Sequence, residues 1–262
     1  MLTISAVPAF QDNYIWVFHQ EGSNLACVVD PGTAEPVLRH LETAGLQLEA
    51  ILLTHHHADH IGGVADLLKL KPVKVFGPAS SRIPWVNQAV QEGSNIDVAG
   101  VSLRVLEVPG HTLEHIAYFS GEAVTAQGPV LFCGDTLFAA GCGRMFEGTP
   151  PMMHASLLKL AQLPPATQVY CAHEYTLSNL RFAQRVMPGN HAVVDRIARE
   201  TAKRARNEPT LPSSIELELA TNPFLCCHDS TVQASVSEEM PGTNLLDAAS
   251  VFGALRGWKD RF

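Results

Sequence analysis

Seven consecutive residues, Thr54-His55-His56-His57-Ala58-Asp59-His60, gather four imidazoles and one carboxylate. A single histidine is usually a surface or satisfied core residue. Spaced as His-x-His-x-Asp-His, however, these are donors that zinc, iron and manganese accept, because imidazole and carboxylate together suit such divalent ions. Three further donors each follow a short apolar run: His111 after Val101 to Val108, Asp135 after Val130 to Cys133, and His173 after Gln168 to Cys171. If those runs are strands whose ends meet, His55, His57, Asp59, His60, His111, Asp135 and His173 converge. Such a set, with one carboxylate shared, is about what two divalent ions need when each also keeps a solvent position.

Two cations sharing Asp135 and a solvent oxygen would lower the pKa of that water from about 15.7 towards about 7, making hydroxide available at neutral pH. No serine or cysteine nucleophile is then required, and the same ions polarise a carbonyl and stabilise the oxyanion that follows. Asp59, inside the cluster, can orient the hydroxide, so Asp59 and Asp135 are the candidate catalytic carboxylates. Esters, thioesters, lactams, lactones and phosphodiesters all yield to this chemistry, so the donors define a reaction class better than a substrate. His56 would face away from His55 and His57 in an extended turn and reads as a supporting or packing residue. His115 reads as structural, and His19, His40, His154, His191 and His228 show no partner pattern.

The elements that must position these donors are visible as apolar runs and breakers. Leu2 to Val7, Tyr14 to Phe18 and Leu25 to Val29 read as a strand meander, and Asp30-Pro31-Gly32 forces a turn before a helical stretch from Glu35 to Ala44. Ala50 to Thr54 is expected to be a strand and Val64 to Leu70 a helix, which puts the histidine cluster on a strand-to-helix turn. Val73 to Pro78 reads as a further strand, whereas residues 79 to 97 are uninformative. Beyond His173, Leu177 to Val186 and Val193 to Arg206 have helical periodicity, and Ser213 or Ser214 can cap a helix from Ile215 to Ala220. The basic run Arg196, Arg199, Lys203, Arg204 and Arg206 reads as a solvated helix face, and residues 228 to 243 as an exposed polar loop. The expected division is a mixed α/β domain over residues 1–173 and a helical domain over 174–262.

With 262 residues, 46% of them hydrophobic, the chain can build a substantial core without staples. Its six cysteines include no Cys-x-x-Cys pair, and several sit in apolar runs, as expected of free thiols in a reducing, cytoplasmic compartment. No apolar stretch approaches the roughly 18 residues of a membrane span, and no leader is evident. A net charge of −8 argues against a general nucleic-acid binder, which needs a basic field. A soluble monomer acting on a small molecule is expected.

Thr54 to His60 with His111, Asp135 and His173 resembles the metallo-β-lactamase superfamily. Asp12-Asn13-Tyr14, Gly134 to Phe138, Gly141 to Arg144, His173 to Thr176, Pro188-Gly189-Asn190 and the terminal Leu255-Arg256-x-x-Lys259-Asp260 resemble its glyoxalase II branch, the hydroxyacylglutathione hydrolases. The match runs essentially end to end. It implies an αββα sandwich followed by a helical domain that completes the substrate site, and hydrolysis of S-D-lactoylglutathione to D-lactate and glutathione. It also implies two metal ions, zinc first, with iron or manganese also suited. One would take His55, His57 and His111 and the other Asp59, His60 and His173, with Asp135 bridging. By the same resemblance, Arg144, Tyr175, Arg256 and Lys259 hold the glutathione moiety, and Asp30 supports the ligand turn. Hydrogen bonds from such cations to the two glutathione carboxylates would contribute roughly 1.5 to 3 kcal/mol each. The chain departs from the pattern at Arg144, where some relatives carry lysine, at Phe146, where some carry tyrosine, and at Glu114, where glycine is common. It departs again at Cys226-Cys227, where arginine often follows Asn222-Pro223-Phe224. The rival readings are a mononuclear-iron glutathione persulfide dioxygenase, a metal-dependent nuclease of the same superfamily, and a metal-binding interaction protein. The first needs only three ligands, the second a nucleic-acid-binding domain, and the third a closed metal site.

Overall fold

Alternate residues of the strand Asn13–Gln20 enter different apolar layers: Trp16 and Phe18 join one hydrophobic cluster, Ile15 and Val17 another. Cys27 and Val29 against Ala26 and Val28, and Ala50 and Leu52 against Ile51 and Leu53, divide the same way. Period-two side chains that are apolar on both faces require cover on both faces. A computed structural model, which describes residues 1–262 apart from the side chain of Ala123, supplies that cover as an αββα sandwich.

The first sheet takes its six strands in chain order: β1 (Leu2–Ala9), β2 (Asn13–Gln20), β3 (Leu25–Val29), β4 (Gln47–Leu52), β5 (Lys74–Pro78) and β6 (Gln88–Val90). β1 to β3 form an antiparallel meander, and β3 to β6 run parallel. On its outer face lie α1 (Glu35–Ala44) and α3 (Val64–Leu70), which bury Val37, Leu41, Val64 and Leu67; the short α2 (Ala58–Ile61) carries part of the histidine cluster. The second half contributes β7 (Asn95–Val98), β8 (Val101–Glu107), β9 (Ile116–Thr125) and β10 (Gly128–Gly134). A two-stranded hairpin follows, β11 (Leu137–Phe138) with β12 (Gly141–Cys142), and then β13 (Gln168–Cys171) and β14 (Ser213–Ser214). The second sheet has the order β14-β13-β10-β9-β8-β7. Where the sheets face each other, Phe18 stacks on Phe132 at 5.2 Å and Trp16 meets Tyr170 edge-on at 4.9 Å, while the Trp16 indole N–H donates to the Cys171 carbonyl.

Outside the second sheet lie α4 (Pro150–Ala161), α5 (Thr176–Val186), α6 (His191–Ala205), α7 (Ile215–Thr221), α8 (Ser230–Glu239) and α9 (Ala248–Lys259). Leu180, Phe182, Val232, Phe252 and Leu255 from these helices belong to the same cluster as Phe132 and Tyr170. The C-terminal helices are therefore built onto the sandwich core, and β14 lengthens its sheet. No helix among the described residues is long and apolar enough to cross a membrane.

Two expectations from the sequence are corrected. Residues 228 to 243 are largely helical: Asp229 caps α8 by accepting from the Thr231 and Val232 amides, and Val232 and Val236, one turn apart, are buried. Arg196 is not on a solvated face. It is 1% exposed, and its guanidinium donates to Glu218 Oε1 at 2.7 Å, Ser213 Oγ at 2.9 Å and Thr221 Oγ1. That face of α6 turns inward because it packs beside α7 and β14, which supply the acceptors. Arg199 and Lys203 of the same run pair with Glu200. Residues 79 to 97, silent in the sequence, carry β6 and the start of β7.

Arg196→Met keeps the volume but leaves the fully buried Glu218 carboxylate without its cation, and breaking a buried pair costs about 3–5 kcal/mol. Urea unfolding of the variant is expected to show a loss of that order. A loss below about 1 kcal/mol would mean that the pair is dispensable.

Candidate metal centre and cleft

Every proposed donor lies at the same edge of the sandwich, where β4, β10 and β13 end and where the chain turns between β8 and β9. Asp30, the residue after β3, organises the first of these turns. It adopts φ +51, and its carboxylate accepts from the Thr54 amide at 2.8 Å, the Thr54 hydroxyl at 2.7 Å and His60 Nδ1 at 3.0 Å. The Thr54 hydroxyl in turn accepts from His55 Nδ1. Gly32 lets the following turn approach: a Cβ there would lie 1.9 Å from the Asp59 carbonyl oxygen.

The seven donors form two groups joined by Asp135. His57 Nδ1 stands 3.1 Å from His55 Nε2 and 2.9 Å from His111 Nε2. Asp59 Oδ2 lies 3.6 Å from His60 Nε2 and 3.5 Å from His173 Nε2. Each trio offers its ligand atoms within 4.8 Å of one another. Asp135 faces both groups, with Oδ2 at 3.4 Å from His111 Nε2 and Oδ1 at 3.4 and 3.3 Å from His60 and His173 Nε2. His60 Nε2 and Asp135 Oδ1 are buried without a hydrogen-bond partner. Orphaned polar atoms of this kind are costly, and a cation between the trios satisfies them. The donor set thus fits a binuclear metal site. Asp30 also lies close to His55 and His60, but its oxygens are already engaged, so it supports ligands instead of adding one.

The electrostatics agree with a site shaped for positive charge. Burial and neighbouring imidazoles hold His55 well below the ordinary imidazole range. Burial would do the same to His60 and His173, but Asp135 and Asp30 outweigh it at His60 and raise it well above that range, and Asp135 with Asp12 raises His173. Asp135, although buried, is held well below the usual carboxylate range by His60 and His173.

Several contributors have no spacing signal in the sequence. Asp12 accepts from His173 Nδ1 at 2.9 Å, Asn13 donates to Asp59 Oδ2 at 3.1 Å, and the Tyr14 hydroxyl donates to Glu174. The backbone carbonyl of Arg144 accepts from His111 Nδ1 at 2.7 Å. His115 is fully buried, lies parallel to His55 at 4.6 Å and accepts from the Asp135 amide. His56 points away from the ligand atoms: its two ring nitrogens face Glu114 and Glu147.

The donors open into a cleft of about 820 Å³ lined by His57, Asp59, His111, Asp135 and His173 at one end and by Arg144, Tyr175, Arg256, Lys259 and Phe262 at the other. Tyr175 stacks parallel on His173 at 4.8 Å, and Phe146 stands edge-on to His57 and His111. Burial, then Arg256, Arg181 and Arg144, push the Lys259 ammonium down to about 8. Its Nζ donates to the Ser178 carbonyl at 3.2 Å. Arg144 is largely exposed, with Nε 3.5 Å from Asp260, while Arg256 is 5% exposed and donates to the Cys142 carbonyl and to Asp260.

The family model for the metallo-beta-lactamase superfamily matches residues 8–173, and that for the hydroxyacylglutathione hydrolase C-terminus matches residues 174–262. A hydroxyacylglutathione hydrolase of Cupriavidus taiwanensis is 54% identical over 273 aligned residues, and one of Pseudomonas aeruginosa is 50% identical over 263, with all of each chain covered. Among solved structures, that of ETHE1 from Myxococcus xanthus covers 98% of this chain and 99% of its own at a TM-score of 0.65 and 24% identity. The BLEG-1 B3 metallo-beta-lactamase covers 86% of this chain and 100% of its own at a TM-score of 0.62 and 23% identity. These two likenesses concern the fold alone.

Asp30→Ala removes the acceptor of the buried Thr54 amide and hydroxyl, each costing about 1–3 kcal/mol when left unsatisfied. Chemical unfolding of the metal-free protein is expected to show a destabilisation of about 2–4 kcal/mol. An unchanged midpoint would show that the turn does not depend on that carboxylate.

Proposed function

The chain belongs to the metallo-β-lactamase superfamily and, within it, to the hydroxyacylglutathione hydrolases, and we propose that it hydrolyses S-2-hydroxyacylglutathiones, S-D-lactoylglutathione foremost, to the hydroxy acid and glutathione. The observation that carries this reading is the pairing, in one cleft, of the seven-donor cluster with a cationic end, where Arg144, Arg256 and Lys259 face a single carboxylate, Asp260. Burial first, and then three arginines, depress the Lys259 pKa, and Asp260 is the acidic neighbour that opposes them. Glutathione carries two carboxylates, and a cleft of about 820 Å³ falls within the range of small-molecule sites.

His55, His57 and His111 would hold one ion, Asp59, His60 and His173 the other, with the two Asp135 oxygens divided between them. When bound, such ions, zinc first and iron or manganese also suited, supply hydroxide at neutral pH and polarise the thioester carbonyl. Asp59, whose Oδ2 accepts from Asn13 and faces His60 and His173, would hold its ion and orient the attacking oxygen. Lys259 and Arg144 bind the glutathione carboxylates, Tyr175 lies along the peptide, and Arg256 fixes the end of α9 and adds its charge. The departing group is a cysteinyl thiolate with a conjugate-acid pKa of about 8.5, so the step requires no acid at the leaving sulfur. The six free thiols suit a reducing, cytoplasmic setting. A second ligand trio, together with full-length identity to hydrolases, speaks against a mononuclear dioxygenase.

Hydrolysis of S-D-lactoylglutathione, with metal content measured on the same sample, tests the reading. Chelation is expected to abolish activity and divalent metal to restore it at two ions per chain; full activity in metal-free protein, or at one ion per chain, would overturn it. Lys259 supplies a pH test. Its ammonium is charged below about 8 and neutral above, so KM is expected to rise as pH passes from 7 to 9.5. Lys259→Arg, which stays charged, should flatten that rise. A KM that is level in the native enzyme across this range would remove Lys259 from carboxylate binding.

A further inference from the structure

Behind the His57 and His111 side of the cluster lies a set of charged side chains that the proposed chemistry does not use. Arg82, between β5 and β6, donates through its guanidinium to both Glu147 oxygens and, at 3.0 Å, to Glu114 Oε2. Glu114 Oε1 accepts from His56 Nδ1, and Glu147 Oε1 lies 3.7 Å from His56 Nε2. Glu147 Oε2 also accepts from the Leu113 amide at 2.9 Å. Arg82 is about half exposed, whereas the side chains of His56, Glu114 and Glu147 retain 15%, 15% and 22% exposure, so the carboxylates are largely screened from water.

Each of the other three members sits on a segment that carries part of the cluster or of its wall. His56 lies between His55 and His57. Glu114 follows His111 on the same turn. Glu147 belongs to the segment whose Arg144 carbonyl accepts from His111 Nδ1 and whose Phe146 amide donates to the His111 carbonyl. Two of these loops therefore meet at one guanidinium, and the third joins them through His56, which faces both carboxylates. We propose that Arg82, outside the cleft, is a positioning residue for the His57 and His111 half of the metal cluster, acting through Glu114 and Glu147. Without Arg82, two partly buried carboxylates face each other across His56 with no guanidinium between them. Their repulsion pushes the Glu114 turn away from the Glu147 segment and carries His111 with it. Asp59, His60 and His173 are held by Asn13, Asp30 and Asp12, none of which touches the network.

The inference rests on the two-ion assignment, and the test separates the two. Zinc affinity of the two sites is measured by competition with a chromophoric chelator in the native chain, in Arg82→Met and in the double variant Arg82→Met, Glu147→Gln. Losses of supporting residues typically weaken metal binding about 10- to 100-fold; here one equivalent is expected to weaken about tenfold in Arg82→Met while the other keeps its native affinity. Glu147→Gln, which removes one of the opposed charges, should weaken the same equivalent less in the Arg82→Met background than Arg82→Met does alone. Two equivalents of native affinity in Arg82→Met, or equal weakening of both, would overturn the positioning role. A native chain that binds fewer than two equivalents would overturn the assignment beneath it.

Discussion

The Asp30 carboxylate is the interaction on which the rest of the site depends. Two adjacent parallel strands end side by side, and the residue following one of them reaches across to the amide and hydroxyl that begin the other's turn. This single group closes the β4 turn, orients His60 through Nδ1 and, by way of Thr54, orients His55. Asp30 adopts a left-handed backbone to do so, a conformation that costs a non-glycine residue about 1–2 kcal/mol. Three buried hydrogen bonds to one charged acceptor outweigh that cost.

The same principle recurs around the cluster. His60, His111 and His173 each give Nδ1 to a fixed acceptor, namely Asp30, the Arg144 carbonyl and Asp12, while His55 gives it to the Thr54 hydroxyl. Each ring is thereby held in the tautomer that leaves Nε2 bare and aimed inwards. An imidazole free to rotate would lose orientational entropy on each binding event; here folding has already fixed it. The acceptors come from strand ends and the β1–β2 turn of the first sheet and from the loop after the β11–β12 hairpin, so the preorganisation is distributed over separate parts of the chain.

How much of this could be read in advance follows from what kind of signal each feature leaves. The convergence of the seven donors was legible because they follow the ends of four apolar runs, a regularity that survives without coordinates. The runs gave the strands and helices, while their layering as a sandwich followed from the resemblance. Asp12 was not assigned a role, since its partner His173 lies 161 positions away and nothing local marks the pairing. The burial of Arg196 was illegible for the same reason: the sequence shows a basic residue on one side of a helix, while Glu218, which draws it inward, lies on another helix. The α8 helix was read as a loop because its buried stripe is only Val232 and Val236 within an otherwise polar stretch. Its capping aspartate was present in the sequence, but one cap is a weak signal against that composition.

The division of labour between the sandwich and the C-terminal helices hides a mechanical link. Asp135 leads directly into the β11–β12 hairpin, and Gly143, just past the hairpin, passes so close that a Cβ would lie 1.9 Å from the Asp135 carbonyl oxygen. The Cys142 carbonyl on that hairpin receives the buried Arg256 guanidinium, one turn before Lys259 on α9. A continuous path of backbone and one buried cation therefore joins the carboxylate shared by both metal trios to the ammonium at the far end of the cleft. Its separation is set by packing, since Leu255 and Phe252 of α9 sit in the same core as β10 and β13. Placing a reacting carbonyl relative to a distant anchor is the part of catalysis that depends on rigid distance. In this chain the spacing between Asp135 and Lys259 is built into a hairpin and a single arginine, Arg256, which is buried while Arg144 and Lys259 lie nearer the solvent.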